Sequence, residues 1–70
     1  MTTSIEVTIN GQHETLDDDV TAEKLVHSMS LGRQRIAVEI NGEIVPRSTF
    51  AERRIAPGDR IEIVRAVGGG

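Results

Sequence analysis

The sequence predicts an α+β fold, in which a mixed sheet of about five strands packs on one main helix. Apolar and polar residues alternate in segments near residues 5–9, 36–40 and 60–67, which is the period of a half-buried strand. Residues 20–29 instead have their apolar residues three and four positions apart, which is the spacing of one helix face. Asn-Gly, a strong signal for a two-residue hairpin turn, directly follows the first two alternating segments.

The first alternating segment reaches Ile9 and is followed by Asn10-Gly11. We expect the return strand to run through about Leu16. Pairing Ile9 with Gln12 across the turn places Ile5 opposite Leu16, so that the apolar residues share one face.

The helical segment covers residues 20–29, with apolar residues spaced by three and four positions at Ala22, Leu25, Val26 and Met29. Thr21 is expected to be the N-cap, with Val20 packing on Leu25 as a hydrophobic staple. The acidic run 17–19 then lies near the positive helix end, which explains it better than a metal site does. Leu31-Gly32 supplies a stop for the helix.

In the second half, a strand over 36–40 and an Asn-Gly turn lead to a short strand that Pro46 ends, because proline cannot donate to a ladder. Ser48 or Thr49 is expected to cap a single helical turn that places Phe50 in the core. Pro57-Gly58 has the pattern of a type II turn, and the final strand follows from residue 60 to about 67.

This order of elements is that of the ubiquitin-like β-grasp. In such a fold the last strand lies in the middle of the sheet, parallel to the first, because the helix forms the crossover. Ile61 and Ile63 then face the helix, and Glu62 and Val64 face the opposite side of the sheet.

Seventy residues form a single domain, which we place at 1–67, with a short glycine tail at 68–70. The absence of cysteine excludes disulfides and thiolate chemistry and fits a reducing compartment. The net charge of −3 disfavours nucleic acid as a ligand, and no apolar run is long enough to cross a membrane. We therefore expect a cytoplasmic protein without a membrane or nucleic-acid partner.

The most informative feature is the ending Gly68-Gly69-Gly70, directly after a predicted strand. An extended run over 66–70 spans roughly 17 Å, and glycine passes through channels too narrow for a side chain. The two histidines have no neighbouring nucleophile or metal ligands in sequence, and phosphate-binding glycine motifs are absent. These observations predict a group carrier with a reactive carboxylate, which has no catalytic residue, metal or bound cofactor of its own.

Residues 41–47, Phe50, 57–64 and 66–70 together resemble the ThiS family, the small sulfur carrier proteins of thiamine biosynthesis. The resemblance covers essentially the whole chain and is most specific from Asn41 onward. Phe50 stands where members of the family often have Trp.

The resemblance implies that a ThiF-type enzyme, using ATP and Mg²⁺, adenylates Gly70. Sulfur from a cysteine desulfurase or sulfurtransferase then converts Gly70 to a thiocarboxylate, which donates sulfur to a ThiG-type thiazole synthase. Gly68 and Gly69 have the role of threading into the partner's active site.

Partner recognition is expected on the sheet face opposite the helix, next to the tail. The predicted patch consists of Ala37, Glu39, Val64, Ala66 and Val67. Small exposed apolar patches often mark interaction sites.

Two other functions remain open at this point. The small subunit of molybdopterin synthase has the same kind of fold and a C-terminal Gly-Gly, although the segment 44–47 and the short chain favour the thiamine family. A ubiquitin-like modifier or a non-catalytic β-grasp adaptor would use the same fold without carrying sulfur.

Overall fold

A computed structural model describes residues 3–32 and 35–65 of the chain. It contains five strands, one α-helix and one 3₁₀ turn. In chain order these are β1 (Ser4–Ile9), β2 (Gln12–Asp17), α1 (Ala22–Ser28), β3 (Ile36–Ile40), β4 (Glu43–Val45), the 3₁₀ turn (Arg47–Thr49) and β5 (Arg60–Arg65).

The five strands form one mixed sheet in the order β2-β1-β5-β3-β4. The pair β1 and β5 is parallel, and the other neighbouring pairs are antiparallel. The last strand therefore lies at the centre of the sheet, beside the first and parallel to it. This topology confirms the predicted β-grasp.

The first hairpin has the predicted register, with Ile9 paired to Gln12 and Ile5 paired to Leu16. Asn10 and Gly11 have φ angles of 51° and 83°. Positive φ at both central residues is the requirement of a type I′ turn, which Asn-Gly satisfies at little steric cost. The second Asn-Gly pair, at 41–42, has nearly the same angles and joins β3 to β4.

The helix begins as predicted but ends earlier. Thr21 is the N-cap, and its Oγ1 accepts a hydrogen bond from the Lys24 amide at 3.2 Å. The last helical residue is Ser28, so the stop expected at Leu31-Gly32 lies too far along the chain. Met29 consequently follows the helix and is 37% exposed instead of packing as a helical core residue.

A Schellman motif ends the helix, and it explains this difference. The Ser30 amide donates to the His27 carbonyl at 3.0 Å, and the Leu31 amide donates to the Val26 carbonyl at 2.8 Å. Ser30 has a φ of 62°, in the left-handed region that glycine usually occupies at this position. Leu31 packs against the core, so the hydrophobic contact that accompanies this motif determines where the helix ends.

The core lies between the helix and one face of the sheet. As predicted, Ile61 and Ile63 are buried, and Phe50 is only 5% exposed. The buried apolar residues are Ile5, Val7, Ile9, Val20, Ala22, Leu25, Val26, Val38, Ile40, Val45, Phe50, Ile55, Ile61 and Ile63.

The single helical turn before Phe50 is present, but its cap differs from the prediction. Pro46 is the N-cap and makes no side-chain capping bond, so neither Ser48 nor Thr49 has that role. Instead, the Thr49 hydroxyl donates to the Pro46 carbonyl at 2.8 Å. The fixed φ of proline favours the start of such a turn.

The predicted type II turn before the last strand is confirmed. Gly58 has a φ of 83°, and the Asp59 amide donates to the Ala56 carbonyl at 3.1 Å. Within the described residues, no helix is long and apolar enough to span a membrane. The predicted continuation of the last strand to residue 67 and the domain boundary at 67/68 lie outside the described residues.

Candidate functional site

The glycines predicted to carry the chemistry, Gly68, Gly69 and Gly70, lie outside the described residues, as do Ala66 and Val67. The described part of the site is the strand that leads to them, β5, and the surface around it. The hydrogen bonds that hold β5 therefore determine the position from which the chain continues toward the glycines.

The side chain of Asn10 extends the hydrogen-bonded ladder on one side of β5. The parallel pairing of β1 with β5 stops at Ile9 and Ile61. Beyond it, the Asn10 amide donates to the Ile61 carbonyl at 2.9 Å, and the Ile63 amide donates to Asn10 Oδ1 at 2.8 Å. The asparagine side chain thus takes the place of a backbone partner after β1 has turned away.

Asn41 contacts the other side of the strand, at its beginning. Its backbone amide donates to the Arg60 carbonyl at 2.8 Å, and the Arg60 amide donates to Asn41 Oδ1 at 2.9 Å. Asn41 Nδ2 also donates to Asp59 Oδ1 at 3.0 Å. The asparagines of the two hairpin turns therefore hold β5 from both neighbouring strands.

Asp59 anchors the turn that precedes β5. This residue is only 7% exposed, and its Oδ2 accepts a hydrogen bond from the Ala56 amide at 2.8 Å. The Asp59 carbonyl accepts from the Thr8 amide at 3.0 Å, and the Gly58 amide donates to the Glu6 carbonyl at 2.7 Å. These bonds attach the turn to β1, so the start and direction of β5 are both determined.

Sequence reasoning interpreted the two asparagines only as turn formers and did not predict these contacts. The triplet Ile-Asn-Gly occurs after both strands that flank β5, but asparagine before glycine is favoured by the type I′ turn itself. The sequence therefore carried no separate signal for these contacts, which depend on the position of β5 between the two hairpins.

The structure brings together the three described residues of the predicted partner patch. Ala37 is paired with Val64 across β3 and β5, and Glu39 is paired with Glu62. Val64 is 59% exposed, Ala37 is exposed and Glu39 is half-buried. All of these side chains lie on the sheet face opposite the helix, because their neighbours along each strand are in the core.

Ile44 belongs to the same surface and was missed. It is 72% exposed and is paired with Glu39 across β3 and β4. Its outward orientation follows from the burial of Val45, because neighbouring residues of a strand face opposite sides of the sheet. We call this surface the outer patch, and it consists of Ala37, Glu39, Ile44, Glu62 and Val64.

Neither histidine is part of a catalytic arrangement in the described chain. His13 Nε2 and Glu6 Oε1 lie 2.8 Å apart on the surface, with both side chains mostly exposed. His27 is exposed on α1. Across residues 3–32 and 35–65, no three His, Asp or Glu side chains are grouped so that they could hold a metal ion.

Two comparisons of the sequence find relatives over nearly the whole chain. The profile of the ThiS family matches residues 3–70. A thiazole synthase from Paramagnetospirillum magneticum is 36% identical over 66 residues, which cover 94% of this chain and 20% of that protein. An uncharacterized protein, ycf40, from Porphyra purpurea is 31% identical over 67 residues and is covered over 94% of its own length. This chain thus spans about one fifth of the length of the thiazole synthase that it matches.

The comparison of structures agrees with these matches. The crystal structure of a thiamine biosynthesis protein, ThiS, from Geobacter metallireducens superimposes with a TM-score of 0.80 and 28% identity. The superposition covers 94% of this chain and the whole of that chain. Since the profile of the ThiS family matches residues 3–70, the chain belongs to the ThiS family.

Proposed function

We propose that this protein carries sulfur to the thiazole ring during thiamine biosynthesis, with the sulfur bound at the carboxyl group of Gly70. The observation that supports this most is the ThiS family match, which runs through residue 70 and so includes the three glycines. The protein acts as a substrate of other enzymes in this proposal and needs no catalytic residue of its own.

The first step activates Gly70. A carboxylate is a poor electrophile, because its charge repels nucleophiles and neither oxygen leaves readily. In a ThiF-type enzyme with ATP and Mg²⁺, a Gly70 oxygen attacks the α-phosphorus and pyrophosphate leaves. The resulting acyl-adenylate has AMP as a good leaving group.

The second step introduces sulfur. The terminal sulfur of a persulfide, formed by a cysteine desulfurase or sulfurtransferase, attacks the Gly70 carbonyl carbon and AMP leaves. A thiol then attacks the resulting acyl disulfide at its other sulfur, which releases the thiocarboxylate and forms a new disulfide. The thiocarboxylate is a soft nucleophile suited to sulfur transfer.

A thiazole synthase is the proposed acceptor. A protein of that name contains, within a much longer polypeptide, a segment similar to 94% of this chain. The presence of both parts in one polypeptide supports a functional association between a carrier of this kind and a thiazole synthase. The firmly held strand β5 also suits this role. The strand fixes the position from which the chain continues toward Gly70. This matters because catalysis is sensitive to misplacement of a reacting group by about 1 Å.

Mass spectrometry of the protein from its native host tests the proposal. We expect an exchange of oxygen for sulfur in the C-terminal fragment, and its loss when Gly70 is deleted. Reconstitution with a purified thiazole synthase then distinguishes the thiamine pathway from another sulfur pathway. Absence of any activated or sulfur-containing form, with the adenylating enzyme and sulfur donor present, would reject the carrier function.

A further inference from the structure

The two edges of the sheet differ in how they are protected. The strand at one edge, β4, has three residues and is followed by Pro46. The strand at the other edge, β2, has six residues in unbroken register with β1, and its sequence contains no proline, glycine or lysine. Short length and proline are usual protections of an exposed edge against pairing with another chain. The edge at β2 therefore lacks both protections that the opposite edge has.

The backbone groups on the free side of β2 are those of His13, Thr15 and Asp17. In β1 the Thr8 and Asn10 amides donate toward β5, so the residues that alternate with them point to β2, and their partners in β2 point back. Among the described residues, none of the three amides on the free side donates to another backbone group. The edge thus offers three amide donors in one row.

Two copies can pair along this edge only in registers that bring these outward groups together. In an antiparallel pair of identical strands, the two-fold axis then passes between one residue and its own copy. With Thr15 on the axis, its amide and carbonyl form two hydrogen bonds with Thr15 of the second copy. The amide of each Asp17 also reaches the His13 carbonyl of the other copy. The reciprocal bond is weaker, because the Asp17 carbonyl already accepts from the Val20 amide at 3.2 Å.

The side chains of β2 favour this register over its neighbours. With Thr15 on the axis, His13, whose ring can donate a hydrogen bond, lies opposite the Asp17 carboxylate of the second copy, and Glu14 lies opposite an apolar side chain. A shift of the axis by one residue in either direction sets Glu14 opposite Glu14 or Asp18 of the second copy. Like charges directly opposite destabilise a sheet, whereas a Thr-Thr pair stabilises it.

The helix leaves room for this pairing. A groove of about 420 Å³ lies between α1 and β2, and Leu16 and Lys24 are among the residues that line it. Glu14 of the second copy lies opposite Leu16 on the helix side of the sheet, hence beside this groove. Its charge is opposite to that of Lys24, so the groove favours the same register.

We propose that the chain forms a symmetric dimer through β2, with Thr15 on the two-fold axis and one continuous sheet of ten strands. A second copy suits the edge because this pairing uses the outward amides and opposes no like charges. The axis directs the two copies of β5 in opposite directions, since β5 is antiparallel to β2. The outer patch lies on β3, β4 and β5, away from the axis, so the dimer is compatible with the proposed function and does not rest on it.

The dimer is tested by sedimentation equilibrium of the intact chain over about a hundredfold range of concentration. Thr15→Pro removes the amide on the axis, and in the monomer its ring faces solvent, where an edge strand tolerates proline. We expect the Kd of the dimer to rise at least about tenfold. Thr15→Val keeps the amide and should retain the dimer. Circular dichroism establishes that both variants are folded.

Salt provides a second measurement on the wild type. Each chain has a net charge of −3, so two copies repel each other at long range. We expect moderate salt to lower the Kd of the dimer, because it screens this repulsion.

Cysteine substitutions test the register independently of the proline variant. The chain has no cysteine of its own, so each variant has one thiol per copy. Thr15→Cys places the two residues on the axis with Cα atoms about 5.5 Å apart, within the range of a disulfide. The two residues of Glu14→Cys are diagonal neighbours about 7–8 Å apart. With oxidised glutathione, Thr15→Cys should crosslink faster than Glu14→Cys, and the difference should vanish in urea.

A wild-type chain that stays monomeric over the whole concentration range, with equal crosslinking of the two cysteine variants, would overturn the proposal. A dimer that a folded Thr15→Pro variant retains would show that the interface lies elsewhere on the molecule. Faster crosslinking of Glu14→Cys than of Thr15→Cys would reject the register with Thr15 on the axis.

Discussion

Asn10 and Ile63 are 53 positions apart in the chain, yet the Ile63 amide donates a hydrogen bond of 2.8 Å to Asn10 Oδ1. This contact joins the first hairpin turn to the last strand. It holds β5 two residues beyond Ile61, where its pairing with β1 ends. The part of the chain that leads to the glycines is therefore positioned by a side chain.

Replacing Asn10 by glycine should isolate the contribution of this side chain. Glycine adopts the φ of 51° freely, so the turn is retained while the acceptor for the Ile63 amide is lost. We expect a loss of about 1–2 kcal/mol in the free energy of unfolding, measured with urea. The Ile63 amide should also exchange faster with deuterium. Retention of both stability and protection would show that the side chain is dispensable.

Ser30→Gly should stabilise the protein. Ser30 occupies the left-handed position of the Schellman motif with a φ of 62°, and its hydroxyl is not needed for either backbone bond of that motif. We expect a gain of about 0.5–1 kcal/mol, because glycine has no Cβ to strain there. Ser28→Gly, at the last helical residue, is the control and should lower stability, because it places glycine in the helix and removes the hydrogen bond from the Ser28 hydroxyl to the Leu25 carbonyl. Equal effects of the two substitutions on the melting temperature would contradict this account.

Ile61 and Val64 are close in sequence but should behave differently. Ile61 is fully buried, so Ile61→Ala should cost about 2–5 kcal/mol in thermal or chemical unfolding. Val64→Asp, on the exposed face, should cost only about 1 kcal/mol, because aspartate fits a strand poorly, and it should weaken binding of the adenylating enzyme. A large loss of stability for Val64→Asp without a separate binding defect would argue against a role of that face in recognition.

Substitutions of Gly69 test the role of the tail. If this residue enters a narrow channel in both partner enzymes, Gly69→Ala should slow sulfur loading and thiazole formation, and Gly69→Val should slow them further. The melting curve should be unchanged, because the buried core of the described chain ends at Ile63. Loading and transfer assays with purified enzymes measure both steps. Wild-type rates for both variants would show that the tail serves as a simple tether.

Local patterns in the sequence predict the strands, the helix and the turns, because these depend on near neighbours. Period-two alternation predicts the buried face of β1, β3 and β5, and Asn-Gly predicts the positive φ angles of the two hairpin turns. The N-cap at Thr21 and the type II turn at Pro57-Gly58 are equally local. The family resemblance rested on such segments, and the family comparison confirmed it.

The relationships between residues far apart in the chain depend on tertiary packing. The end of the helix moved to Ser28 because burial of Leu31 requires the chain to turn at Ser30. The contact of Asn10 with Ile63 and the opposition of Glu39 and Glu62 arise once the central strand is paired on both sides. Outside the hairpins, strand register is determined jointly by the packing of the core and by hydrogen bonds across the sheet, which no local pattern contains.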